Sequence, residues 1–488
     1  MTNTFRFLPL LSTLSILLLI GIVGCAPKMD ENVKRGSSYN FQPGYPEFYI
    51  SSFGFLNEND QPTIKIMTDI LYSSLVYFNE DSDESSSVIE EKEASKEANV
   101  IVEMTATPQF NGNLVTESFS FDISRATENQ IEYETFSLQK NFAVEFGNYK
   151  VSVTVTDPTS GKSVTRTDDI VIPHPGSGPY LSDIVIFGKD NEDTSQAWQP
   201  LTTYDISKTI DSLRFLVQLN NDKGEVEFMT QLSFFRTDTS YAARLHYLSQ
   251  RIETGAHDGF FYQDETVIDQ NLSSLSGSGH QLYEFTYPRP PRGNYRFIMK
   301  LINHSNNNNG NTYKARDFGV KSENYPQLKT ARELTRPLIY LMDEKKYKQM
   351  LKISEPDSLK VAVDHFWLSN IEDEQEALEV LQLYYERVEE ANKQFSNFKE
   401  GWKTDPGMVY ILFGPPWYNL TRGNTMIWYY SFNRQDPNYY YEFVKPVTKH
   451  DSYPFDHWIL ERKPGYFDIH QQQLNLWLSG IILNRPIY

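Results

Sequence analysis

A three-residue phrase occurs twice, at Gly147-Asn148-Tyr149 and Gly293-Asn294-Tyr295, and the residues after it limit the fold more than any other feature of the chain. Each copy opens an extended run, GNYKVSVTVTD in one and GNYRFIMKLIN in the other, then a turn rich in Gly, Asn, Ser or Pro, then a returning run. In the first copy Tyr149, Val151, Val153 and Val155 alternate with Lys150, Ser152, Thr154 and Thr156. Alternation with period two sends one set of side chains into a core and the other into water, the pattern of a half-buried strand. Residues from about 45 to 320 are therefore expected to be strands.

Hairpins that end a domain, with a Tyr at the strand entry, resemble the last strands of immunoglobulin-like sandwiches. The expected fold is mainly β with a C-terminal α+β part. It comprises two immunoglobulin-like β-sandwiches, 45–175 and 178–322, followed by a helical segment and a further domain over 326–488. Ile172-Pro173-His174-Pro175-Gly176-Ser177-Gly178-Pro179 reads as a stiff linker between the sandwiches. Within the first, an acidic loop at 79–98 (NEDSDESSSVIEEKEASKEA) holds eight acids and two lysines with no aromatic residue, and is expected to be a mobile, solvated insertion. Asp81, Asp83 and Glu84 lack the fixed ligand order and turn glycine of a calcium loop. The run Asn306–Gly310 reads as a hairpin tip.

The N-terminus points to export. Met1–Gly24 carries one charged side chain, Arg6, and an apolar run from Phe7 through Ile20, a little short of the about 20 residues that span a bilayer. Ile22-Val23-Gly24-Cys25 resembles the lipobox of bacterial lipoproteins, in which the cysteine is lipidated and the chain is cut ahead of it. Residues 1–24 are then a signal peptide, Cys25 is the lipidation site and 25–44 is a polar tether. Cys25 is the only cysteine of the chain, so once lipidated it leaves no thiol for a disulfide. Several acyl chains on one residue give lasting attachment to a membrane. Removing 1–24 takes away one arginine and no acid, leaving 44 basic against 64 acidic residues. That balance argues against nucleic acid and against a polybasic grip on anionic lipid. Asp30-Glu31 close behind the lipid resembles the signal by which some bacteria move lipoproteins to the cell surface, which favours that face over the periplasmic one.

Beyond Pro326 the pattern becomes helical. A helix is expected from about Glu372 to Phe398, with acids in its first turn and a stripe of Leu381, Tyr384, Tyr385, Val388, Ala391, Asn392 and Phe395 facing a core. It runs into Gly401-Trp402-Lys403-Thr404-Asp405. With Phe366-Trp367, Arg387-Val388, Ala391-Asn392-Lys393-Gln394-Phe395, Val409-Tyr410-Ile411, Gly414-Pro415-Pro416 and Trp428-Tyr429-Tyr430, this resembles the GWxTD-domain family over roughly 330–435. The family is secreted or lipid-anchored and has no established activity, so the resemblance implies a fold unit and not a reaction. The chain departs from the family at Pro406 and Met408, where basic residues are common, and at Trp417, where an acid is usual. Read physically, Gly401 is expected to end the helix in a left-handed conformation, Asp405-Pro406-Gly407 to form a type II turn, and Met408–Phe413 to be a strand. Trp402 is expected to cap a core and Asp405 to accept backbone N–H bonds, a reading preferred to a catalytic Asp405 because the motif holds no His or Cys partner for it. Gly401, Trp402, Thr404, Asp405, Gly414, Pro415, Pro416 and Trp417 are the candidate motif and interaction residues.

No catalytic residue, metal site or cofactor is expected. The nine histidines form no HExxH, and no nucleophile elbow, P-loop or dinucleotide fingerprint is present. His450-Asp451 and Asp456-His457 are the nearest thing to a metal or acid–base cluster and read more simply as loop residues before a strand at His457–Leu460. The expectation is an outer-membrane lipoprotein acting as a non-catalytic component of a protein complex in transport, secretion or barrel assembly, with an outer-membrane β-barrel complex as partner. A glycan-binding surface lipoprotein is the alternative that aromatic richness favours, with 31 Tyr and 31 Phe, and stacking Trp and Tyr residues would mark it. A cell-envelope hydrolase is the third, and needs a pocket with converging carboxylates or histidines.

Overall fold

A computed structural model describes residues 33–34, 45–79, 96–110, 112–125, 135–174, 176–190, 197–222, 224–235, 242–243, 245–248, 265–302, 312–430, 439–445 and 458–484. Cys25, most of the acidic loop, the Asn306–Gly310 tip and His450, Asp451, Asp456 and His457 lie outside these residues.

Alternating Val and Thr build the first β-sandwich. A three-stranded sheet, Phe48–Leu56, Pro62–Leu71 and Thr135–Ala143, faces a second sheet centred on Lys96–Pro108. That central strand pairs with Val115–Arg125 on one side and Gly147–Asp157 on the other, and the latter pairs with Lys162–Ile172. Val151, Val153 and Val155 are fully buried between the sheets with Val100, Val102 and Met104. Gly54 is where the two sheets close: a Cβ there would lie 2.5 Å from the Ile172 side chain.

The second β-sandwich places Ile210–Asn221 at the centre of one sheet and Glu225–Phe235 at the centre of the other. The second copy of the repeat, Gly293–Leu301 with Tyr313–Val320, completes the latter sheet. Phe215 stacks on Phe297 at 4.3 Å and meets Phe318 at 5.5 Å in its core. Both copies of the repeat use the tyrosine alike: Tyr149 Oη donates to the Glu145 carbonyl at 3.0 Å and Tyr295 Oη to the Pro291 carbonyl at 2.7 Å. A tyrosine tied back to the chain just upstream is the corner device of Greek-key sandwiches. Val33–Lys34, within the expected tether, pairs in parallel with Ala315 and Arg316, so that segment is joined to the second sandwich rather than free along its whole length.

The C-terminal part is α+β. Helices α1 (Ala331–Thr335), α2 (Glu344–Met350), α3 (Pro356–Leu368), α4 (Glu374–Phe395), α5 (Asp405–Phe413) and α6 (Phe467–Leu478) pack on a sheet ordered Tyr418–Arg422, Thr425–Tyr429, Tyr440–Val444 and Ile459–Leu460. Asp373 caps α4 by accepting the Glu376 N–H, and Tyr384, Tyr385, Val388, Ala391 and Asn392 of its stripe are buried.

The three modules are bonded to one another. Gln218 of the second sandwich treats Leu56 of the first as a strand neighbour, donating to its carbonyl and accepting its N–H, both at 2.8 Å. Thr202 donates to Asp69 at 2.5 Å. Arg292 pairs with Glu400, and Lys321 donates to the Asn397 carbonyl, joining the second sandwich to the C-terminal domain. At the remaining joint Glu47, 5% exposed, faces the charges of Glu390 and Lys393 on α4. Burial and then Glu390 push its carboxyl up to about 7.

The folded state therefore holds a proton on Glu47 that the unfolded chain releases above about 4.5, and stability falls as pH rises from there to about 7. Glu47→Gln is expected to match the wild type near pH 4 and to exceed it by on the order of 3 kcal/mol at pH 8. Denaturant unfolding at the two pH values checks this.

Candidate functional site

The GWxTD segment is a tight connection between two helices, not a helix-to-strand junction. Helix α4 ends at Phe395, and Ser396 leaves it in an extended conformation, so Gly401 is no helix cap. Gly401–Lys403 form a single 3-10 turn. Thr404 then caps α5: its hydroxyl accepts the Gly407 N–H at 3.2 Å and donates to the Gly401 carbonyl at 2.7 Å. Asp405-Pro406-Gly407 is the first turn of α5 rather than a type II turn, with Pro406 where a helix has no use for its N–H. Met408–Phe413, expected as a strand, is helical, and Met408, Val409, Tyr410, Ile411 and Leu412 are all buried.

The glycines serve close approach. A Cβ at Gly401 would fall 1.8 Å from the Ala391 carbonyl oxygen on α4, and one at Gly407 would fall 1.9 Å from the Gly401 oxygen. Asn392 reads the turn from α4, its Oδ1 accepting the Trp402 N–H at 3.2 Å. Trp402 is 5% exposed and lies edge-on to Tyr340, whose hydroxyl donates to the Trp402 carbonyl at 2.7 Å. Asp405 accepts the Leu460 N–H at 2.7 Å and a two-point bond from Arg462, at 2.5 and 3.0 Å. That pair is almost wholly buried, and it ties the start of α5 to the last strand of the sheet. Lys403 is buried beside Glu400 at 2.7 Å. Burial acts to raise the Glu400 carboxyl, but Lys403 and Arg292 outweigh it and hold it low.

Gly414 ends α5 with φ of 79°, a conformation that favours glycine, against the Arg387 guanidinium, which stacks on Trp477 at 5.2 Å. Pro415 and Pro416 lead to Trp417, which is 53% exposed. Beyond it Tyr418, Tyr429 and Tyr440 sit opposite one another on three adjacent strands, with ring centroids 6.0 and 5.9 Å apart.

Thr404 and Pro406 also form part of the wall of a cleft of about 520 Å³ where the three modules meet. The first sandwich contributes Tyr49, Asp69 and Ser137, the second Thr202, Thr203 and Asp205, and the C-terminal domain Phe395, Asn397 and Trp458. Its two deep carboxylates are held by hydroxyls. Asp69 accepts from Ser137 and Thr202, both at 2.5 Å, and burial raises its pKa against those bonds. Asp205 accepts from Tyr325 at 3.2 Å and faces Lys321 at 3.5 Å, and burial again raises its pKa. Arg462 as the partner of Asp405, and the cleft itself, have no local signal in the sequence, because each depends on residues brought together from far apart.

Gly401→Ala is expected to cost about 3 kcal/mol or more, since two backbones must separate to admit a methyl group. Asp405→Asn leaves Arg462 buried without its counter-charge and is expected to cost ~3–5 kcal/mol. Trp402→Ala empties a large aromatic site for a similar ~3–5 kcal/mol. All three are read by denaturant melts of the purified protein, in which the two sandwiches should unfold in a later, separate transition.

No curated protein matches the chain. Among solved structures it is similar to red sea bream transglutaminase, at 6% identity over 56% of this chain and 31% of that one, with a TM-score of 0.18. It is also similar to Salmonella alpha-2-macroglobulin reacted with methylamine, at 12% identity over 59% and 17%, TM-score 0.20. A third is the native conformation of E. coli alpha-2-macroglobulin, at 9% identity over 58% and 16%, TM-score 0.16. The chain spans less than a third of the length of each of these proteins. The family model of the GWxTD domain matches residues 302–479, from within the last hairpin of the second sandwich to just past α6. Together with the turn geometry around Gly401 and Asp405, that match shows that residues 302–479 of this chain carry a GWxTD domain.

Proposed function

We propose that the chain is a lipid-anchored, non-catalytic component of an outer-membrane protein complex, carried on Cys25 and docked against a β-barrel partner. The observation that carries this reading is the use made of Asp405. It is the one acid of the motif, and both its oxygens are engaged by Arg462 and the Leu460 N–H, which is the use of a structural tie. Bonds between the modules support the same reading, because a part that sets distances within an assembly must hold its own shape. The pairing of Val33 with Ala315 leaves a short lead from Cys25 to the second sandwich, at most ~29 Å of extended chain, which keeps the body close to the membrane.

Trp417 with the Tyr418, Tyr429 and Tyr440 ladder offers the docking surface. Aromatic residues at the centre of an interface each contribute about 2 kcal/mol or more to binding. On this reading the cell surface is the favoured face.

Cys25→Ser is expected to release the protein from membranes into the soluble fraction. Pelleting of an uncut precursor would mean that the apolar run is itself the anchor. Trp417→Ala is expected to leave the melt within about 0.5 kcal/mol of wild type. It should also reduce affinity for the co-purified barrel partner on the order of 30-fold. Unchanged recovery of the partner would remove the ladder as the docking surface. Loss of a turnover on a cell-envelope substrate in a folded Asp405→Asn or Asp205→Asn variant would replace the scaffold by an enzyme.

A further inference from the structure

The cleft at the three-module junction has a chemistry that the scaffold role does not use. We infer that it is a binding site for a short, uncharged oligosaccharide. Three properties of its walls point to that class.

Its charge is balanced. Asp69, Asp205 and Glu323 are matched in number by Lys208, Lys329 and Lys393, so the walls give no net attraction to an anion or a cation. Lys208 is further held by Asn324 at 3.1 Å.

Three of its hydroxyls are committed as donors. Ser137 and Thr202 each donate to Asp69, and Thr203 donates to the Asp205 carbonyl at 2.8 Å. A hydroxyl that has given its proton to such an acceptor keeps lone pairs for an incoming donor. A surface of acceptors fits a ligand rich in hydroxyl donors, and the Gln327 amide adds both a donor and an acceptor beside them.

It has aromatic faces. Tyr49 and Phe395, both half-buried, lie on opposite modules, and Trp458 is half-buried with Lys445 4.8 Å from its ring centroid. A sugar ring presents an apolar C–H face to such rings while its rim makes hydrogen bonds, the combination of apolar lining and a few placed polar groups found in small-molecule sites. The volume of about 520 Å³ admits a di- or trisaccharide. Because Thr404 and Pro406 belong to the wall, the GWxTD turn acquires a second role: it fixes one side of the site.

The test uses the lipid-free full chain carrying Cys25→Ser, titrated calorimetrically with maltotriose and with chitotriose as probes. One-to-one binding of at least one probe with a millimolar or tighter Kd is expected. Trp458→Ala should weaken it at least tenfold. Thr135→Tyr, which adds bulk at the end of the edge strand lining the cleft, should abolish it with the melt unchanged, and this second variant decides the matter if Trp458→Ala fails to fold. Trp417→Ala, on the docking hairpin, should leave sugar binding at the wild-type value. The inference is overturned if neither probe binds at 10-fold above ~1 mM, if Thr135→Tyr binds as wild type does, or if a Ser/Thr-rich peptide displaces the bound sugar completely at lower concentration.

Discussion

Everything in the C-terminal domain depends on two backbones being allowed to touch. Helix α4 and the turn after it approach so closely at Gly401 that a single methyl group would lie inside the Ala391 carbonyl. A second glycine, Gly407, repeats the arrangement between the turn and the start of α5. Once these contacts exist, Asn392 can reach the Trp402 N–H, Thr404 can cap α5, and Asp405 arrives opposite Arg462. The spelling of the motif is thus a packing specification: glycine for proximity, tryptophan to fill the space beside it, threonine to cap, aspartate to tie. A motif of that kind recurs because it solves a local folding problem, and function has to be sought on the surfaces it positions.

How much of this is legible in the sequence depends on which signals are local. The paired strands of both repeats are legible because alternation is written into consecutive residues, and Tyr149 and Tyr295 reach partners only four residues away. Helix α4 is legible because its stripe returns every three or four residues. Helix α5 is not. Met408–Leu412 is buried on every side, so it has no periodicity, and a short apolar run with β-branched and aromatic members reads as a strand. Asp405-Pro406-Gly407 has turn composition, and only the Thr404 hydroxyl on the Gly407 N–H reveals a helix start. The tie made by Asp405 is hidden for a related reason: its partner Arg462 lies 57 residues on, far outside the motif.

Some of the buried titratable groups sit at the joints between modules. An arm of the second sandwich, residues 242–243 and 245–248, reaches into the C-terminal domain and places His246 there, fully buried and 5.0 Å from the ring of His470. Burial lowers the pKa of His246 to about 3 and of His470 to about 4. The unfolded chain takes up protons on both below about 6.5 while the folded one does not, so these groups weaken the fold as pH falls. Glu47, at the opposite joint, has the reverse sign and weakens it as pH rises from about 4.5 to about 7.

Those opposing slopes have a structural consequence for the cleft. Its walls come from all three modules, and neither sandwich nor the C-terminal domain alone presents more than one side of it. Loosening the joint at Glu47 therefore opens the cleft before it disturbs the sandwich cores, since Val151 and Phe297 are buried within single modules. The same geometry explains why the junction is bridged by neutral donors at Gln218 and Tyr325, each on a backbone carbonyl, beside the buried ion pairs. Hydrogen bonds from uncharged groups hold their strength across the range in which Glu47 and the histidines change charge, so the walls stay in register while the charges at their edges vary.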